Sequence, residues 1–109
     1  EAHASGRSIE AITGKPAAQA SQQVVQETGR LVARALVSVG ATLDVRSAVI
    51  AGSVALGFGA PFFEAVQSEL DRSAKIGFID GFKVCPAGLG PLSPLVGAAA
   101  VARNLGCAI

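Results

Sequence analysis

Methionine, tryptophan and tyrosine are absent from this 109-residue chain, which has one histidine and two cysteines. Without methionine, and with Glu-Ala-His at the front, the first residue reads as a cut end rather than a start of translation. Cys85 and Cys107 have neither the number nor the spacing of a zinc site or a disulfide framework. They read as small buried or near-terminal thiols in a reducing, cytoplasmic compartment. An excess of one charge is missing too: nine Lys and Arg against eight Asp and Glu leave a formal net charge of +1, no electrostatic footprint for nucleic acid. No apolar run approaches the ~18 residues of a membrane span. His3 has no visible partner residue, and a lone histidine makes no site.

What is present is small and apolar. Half of the residues are hydrophobic, 13 are glycine, and the mean hydropathy is +0.50. The length allows one domain that buries roughly two thirds of its unfolded surface. The apolar content exceeds what such a domain needs, as if one face expects a neighbour.

The organising stretch is 46–59. Ser47 to Ala51 is an apolar run without alternation, the pattern of a strand covered on both faces by helices, and it breaks at Gly52-Ser53 into a glycine loop. In open α/β sheets ligands bind outside such strand ends, and a glycine there admits a ligand to the backbone. Ahead of it, residues 1–14 read as two short helical pieces interrupted at Ser5-Gly6 and closed by Gly14. Residues 17–40 form one long amphipathic helix between Pro16 and Gly40, with Val24, Leu31, Val32, Ala35, Leu36 and Val39 on one side. Gly29 inside it costs up to ~1 kcal/mol against alanine, which a close backbone contact would offset. Residues 41–45 form a connection in which Asp44 satisfies free donors.

Beyond the loop, Pro61 opens a helix reaching Arg72. Phe62, Phe63, Val66 and Leu70 line its inner side, and Glu64, Gln67, Glu69 and Asp71 its solvent side. After a turn at 77–81, Phe82 to Pro86 alternates as a short strand, so a parallel crossover is expected. Ala87 to Pro94 is a second glycine loop, with Ser93 as cap and Pro94 as first residue of a last helix ending near Asn104. The glycine and alanines of that helix predict tight backbone packing, and Gly106 closes it.

Three blocks resemble the ROK family (repressors, open reading frames and sugar kinases). Glu1-Ala-His-Ala-Ser-Gly resembles its Glu-Ala-Tyr-Ala-Ser-Gly segment. Leu43-Asp-Val-Arg-Ser-Ala-Val-Ile-Ala-Gly-Ser-Val-Ala resembles its Leu-Asp-Pro-Glu-x-Ile-Val-Ile-Gly-Gly-Gly-Val. Residues 87–100 resemble its Ala-Ala-Leu-Gly-Asp-Asp-Ala-Gly-Leu-Ile-Gly-Ala-Ala. The blocks keep family order over nearly the whole chain. Ala51 and Ser53 replace two glycines of the family triple, and Gly90-Pro91-Leu92-Ser93 lacks the acidic pair.

The resemblance implies an α/β chain from the carboxyl-terminal part of the actin-like ATPase (ribonuclease H-like) fold: 1–14 the end of a sugar-binding segment, 17–40 a long helix, and 46–109 a nucleotide-binding part. It implies an ATP-dependent, glucokinase-like hexose kinase using Mg²⁺, or a sugar-sensing transcriptional repressor. The phosphate loop, catalytic aspartate, sugar motif and zinc cysteines of the family lie outside these residues, so the chain alone is expected to be inactive. Glu1 takes the place of the family's sugar-binding glutamate, a carboxylate able to accept two charge-assisted bonds. His3 stands where the family has tyrosine, either reaching the sugar or zinc region or lying at the surface. Gly52, Ser53, Val54, Gly57 and Gly90 are the candidate nucleotide contacts, with backbone donors at strand ends facing phosphate or ribose oxygens. Phe58 either walls the adenine or joins Phe62 and Phe63 in the core. Two short strands and an alanine-rich helix leave apolar area open, and a homo-oligomer burying upwards of ~1,000 Å² is expected.

Overall fold

The computed structural model describes residues 3–73 and 80–106. It is a mixed fold, predominantly helical, with one two-stranded parallel sheet. Helix α1 covers Gly6–Thr13, and the reason it is one helix rather than two pieces lies at its ends. The Ser8 N–H donates to Ser5 Oγ at 3.2 Å, so Ser5 caps the helix instead of interrupting it. Gly14 closes it at φ 69, its N–H donating to the Glu10 carbonyl.

Pro16 opens only a 3-10 turn, Ala17–Gln19, and the long helix α2 begins later, covering Gln22–Leu43. Ser21 supplies the side-chain cap that decides this, with the Val24 N–H donating to its Oγ. Gly40 does not stop α2. It is buried within the helix, which runs on to Asp44, a non-glycine residue at φ 53. Asp44 therefore ends the helix through its left-handed backbone rather than by bonding donors in a connection.

Strand β1 (Ser47–Ile50) leads through Gly52 into a short helix α3 (Ser53–Phe58), and Gly59 at φ 63 turns the chain into α4 (Ala60–Ser73). The expected open glycine loop is thus mostly helical. Gly29 of α2 explains how α2 and α4 approach. A Cβ built there would stand 2.9 Å from Ala65 Cβ and 3.0 Å from the Phe62 carbonyl oxygen, so the glycine lets two backbones cross in near contact. Around this crossing Val25, Ala33, Ala55, Phe62, Val66, Leu70 and Phe82 form the core. Phe62 sits edge-on to Phe63 and tilted to Phe58, with centroids at 5.2 and 6.1 Å.

Two residues assigned to the solvent side of α4 do not lie there. Glu69 is buried between Arg34 and Arg72, with its Oε2 2.6 Å from Arg72 Nη2. Gln67 is half-buried and bonds the backbone of the next strand.

Strand β2 (Lys83–Pro86) pairs with β1 in parallel, Ser47 opposite Lys83 and Ile50 opposite Pro86. The expected double coverage of β1 is not met: Ala48, Ile50 and Val84 pack on the core, while Val49 is 66% exposed on the other face. Cys85 is exposed too, not buried, and Cys107 lies outside the described residues. A 3-10 turn, Gly90–Leu92, runs straight into α5 (Ser93–Asn104). Ser93 is therefore the first helical residue rather than its cap, and its hydroxyl donates to the Gly90 carbonyl at 2.9 Å. No residue of α5 is buried, and a Cβ on Gly97 would meet nothing within 4 Å. The small side chains expected to pack tightly cover nothing among the described residues. Gly106 does close the helix, at φ 76.

Candidate functional site

The carboxyl ends of β1 and β2 lie side by side because the Ala87 N–H donates to the Ile50 carbonyl at 2.9 Å. From there the two loops diverge. The first turns at Gly52, with φ 109 and ψ 149, a backbone conformation that a side chain disfavours. A Cβ on Gly52 would meet nothing within 4 Å, so conformation rather than crowding requires glycine. The first bond of α3 runs from the Leu56 N–H to the Gly52 carbonyl. The Ser53 and Val54 amides precede that bond and have no intrahelical acceptor.

These residues line one side of a cleft of about 340 Å³. Ala4, Ser5 and Gly6 line the other side, and Val32, Ile50 and Phe62 contribute its apolar surface. Gly6 makes this meeting possible: a Cβ there would stand 3.0 Å from Val54 Cγ2, so the start of α1 approaches the start of α3 closely. The Thr28 hydroxyl also lines the cleft but is tied to the Val24 carbonyl at 2.8 Å. Among the described residues no ionised side chain lines it, and the lining is mostly apolar, with Ser5, Thr28 and Ser53 as its polar side chains.

The sequence candidates divide as follows. Gly52, Ser53 and Val54 share the cleft. Gly57 and Phe58 line an adjoining hollow of about 220 Å³ with Ala17, Ala18, Ser53 and Val54. Phe58 packs against the core beside Phe62, the second of its two expected places, and also lines this hollow. Gly90, at φ 53, shapes the second loop and lines neither space. Glu1 lies outside the described residues. His3 is exposed and sits elsewhere, on a hollow of about 370 Å³ between α1 and α2 with Ile9, Ile12, Val24 and Leu31. That hollow went unnoticed in the sequence, although the isoleucines of α1 and the apolar stripe of α2 carry its signal.

Among the described residues, the one displaced acidity stands away from the cleft. Arg72, by its hydrogen bond, and then the nearby charges of Arg72 and Arg34 hold the Glu69 carboxyl below its ordinary range against the opposing effect of burial. Glu69 is an internal tie between α2 and α4. Among the described residues no three His, Cys, Asp or Glu side chains gather to hold a metal ion, and no helix is long and apolar enough to cross a membrane. Compared with known proteins, the chain matches no family model, no curated protein and no solved structure.

Proposed function

We propose that this chain is the nucleotide-binding, carboxyl-terminal part of an ATP-dependent hexose kinase of the ROK type. The observation that supports this reading is a convergence. Residues 4–6 and residues 51–55, from two of the blocks resembling that family, are far apart in sequence and line one cleft at the carboxyl end of a parallel strand. In this reading the Gly52 backbone admits a phosphate, the Ser53 hydroxyl and the Ser53 and Val54 amides donate to its oxygens, and Gly57 with Phe58 borders the base. Gly90 holds the shape of the neighbouring loop. Glu1, in the position of the family's sugar-binding glutamate, accepts from sugar hydroxyls in this reading.

ATP supplies the transferable phosphoryl group. This part of the protein contributes position and hydrogen bonds, the larger share of catalysis in such transfers. Among the described residues no carboxylate lines the cleft, so those residues do not fit as Mg²⁺ ligands. The deciding measurement is phosphorylation of a hexose panel by the full-length protein with ATP. Turnover with at least one sugar is expected; sugar binding without turnover on any of them would replace this reading with that of a sugar-sensing repressor.

A further inference from the structure

One side chain of α4 runs its polar end along the outer edge of β2. In a parallel ladder alternate residues of a strand turn their amide and carbonyl to the same neighbour. The Lys83 and Ala87 N–H groups donate to the Arg46 and Ile50 carbonyls, so Phe82, Val84 and Pro86 turn theirs away from β1.

Gln67 meets that edge with both ends of its carboxamide. Its Oε1 accepts from the Val84 N–H at 3.1 Å, and its Nε2 donates to the Phe82 carbonyl at 2.9 Å. The same Nε2 also donates to Asp71 Oδ1 at 2.8 Å, one turn further along α4. A backbone N–H can only donate and a carbonyl can only accept, so the carboxamide fits one way round. Within β2 itself the outward residues are Val84 and Pro86. The first gives its N–H to Gln67 and the second has none, which leaves β2 no outward N–H for another strand.

We propose that Gln67 is a strand terminator: it makes β2 the last strand of its sheet, in this chain and in any longer chain or assembly that contains it. An edge strand is a template for pairing because it presents a row of unpaired N–H and C=O groups, and a cover or a proline there takes the template away. To add a strand at β2, Gln67 would have to leave. It is half-buried between the core residues Val66 and Leu70, so its carboxamide would be left unpaired where water reaches it poorly.

The residue type matters because an amide carries an acceptor and a donor side by side. An ionised glutamate at the same place has acceptors alone, and methionine has no comparable donor or acceptor. The kinase reading is not needed for any of this.

The test is residue-resolved amide exchange in the 109-residue chain and in the full-length protein, each with Gln67 and with Gln67→Met, at low and high protein concentration. Methionine keeps the length and helix propensity of the side chain and removes both bonds to β2. With Gln67 in place, slow exchange of the Val84 amide is expected at both concentrations. In Gln67→Met that amide should exchange at least about tenfold faster in both proteins, while the Lys83 and Ala87 amides, bonded towards β1, change much less. Slow exchange at Val84 that survives the substitution in either protein overturns the proposal, because another segment then covers the edge. Val84 protection that appears only at high concentration in the unsubstituted chain overturns it as well, since a second copy would be pairing there. If all three amides quicken together in Gln67→Met, Gln67→Glu decides, because its carboxylate returns an acceptor to Val84 without a donor for Phe82. Recovery of Val84 protection in Gln67→Glu supports the proposal; no recovery makes Gln67 a packing residue and overturns it.

Discussion

Glycine does two opposite jobs in this chain, and substitution by alanine separates them. At Gly29 the helix is ordinary and the space is not: the added methyl would meet Ala65 Cβ at 2.9 Å and the Phe62 carbonyl at 3.0 Å. Gly29→Ala gains up to ~1 kcal/mol of helix propensity, yet overpacking at a backbone contact costs about 1–3 kcal/mol. Urea unfolding should therefore show a net loss, partly restored by adding Ala65→Gly. At Gly52 the space is empty and the backbone is not ordinary, with φ 109. Gly52→Ala should cost about 1–3 kcal/mol of strain and displace the Ser53 and Val54 amides. An unchanged urea midpoint would show that the turn tolerates a side chain.

At the scale of elements, burial sorts the helices into two kinds. α2 and α4 meet at the Gly29 crossing and carry most of the core, whereas α5 buries nothing. Leu70→Ala, at a core position 1% exposed, should cost about 2–5 kcal/mol. Leu95→Lys and Val101→Lys on α5 should each change stability by less than about 0.5 kcal/mol. Chemical denaturation of the three variants checks the contrast. A large loss from either lysine would mean that α5 is covered in solution.

Across the whole molecule, α2 and α4 are tied by one buried charge. Glu69 accepts from Arg72 and faces Arg34 of the other helix, and these partners hold its carboxyl below the ordinary glutamate range. A carboxylate whose folded pKa is depressed adds stability that is fully present above its unfolded value. That contribution fades as pH falls through the folded value. Melting temperature should therefore drop on acidification below about pH 4.5, and Glu69→Gln should flatten that part of the profile while lowering stability at neutral pH. An unaltered acid limb in the variant would remove Glu69 as its source. The molecule is also extended, with principal extents of 47 × 39 × 22 Å and a radius of gyration of 15.7 Å. A compact chain of this length has about 13 Å. The apolar excess in the composition is thus visible as surface.

Local chemistry was legible in the sequence where one residue decides by itself. Gly14 and Gly106 as helix ends, Pro61 near the start of α4, the parallel pair of strands and the need for a close contact at Gly29 follow from backbone preference and apolar spacing. Helix starts were less legible, because Pro16 and Ser21 offer competing signals five residues apart and only the hydrogen bond to Ser21 resolves them. The burial of Glu69 and the edge-sealing of Gln67 were not legible at all. Both side chains sit at polar positions of the α4 pattern, and their partners come from α2 and β2. The cleft was half legible: a glycine at a strand end marks Gly52 and Ser53, but nothing in the local pattern brings Ala4 to Gly6 across to them. That meeting depends on the missing Cβ of Gly6 against Val54, a contact between residues 48 positions apart that exists only once α1 and α3 are packed. The sequence by itself determined the helix ends that a single glycine decides, at Gly14 and Gly106, but not that of α2, which runs past Gly40 to Asp44. Tertiary structure decided which polar groups are buried and which loops share a cleft, because those depend on distances between elements that no periodicity encodes.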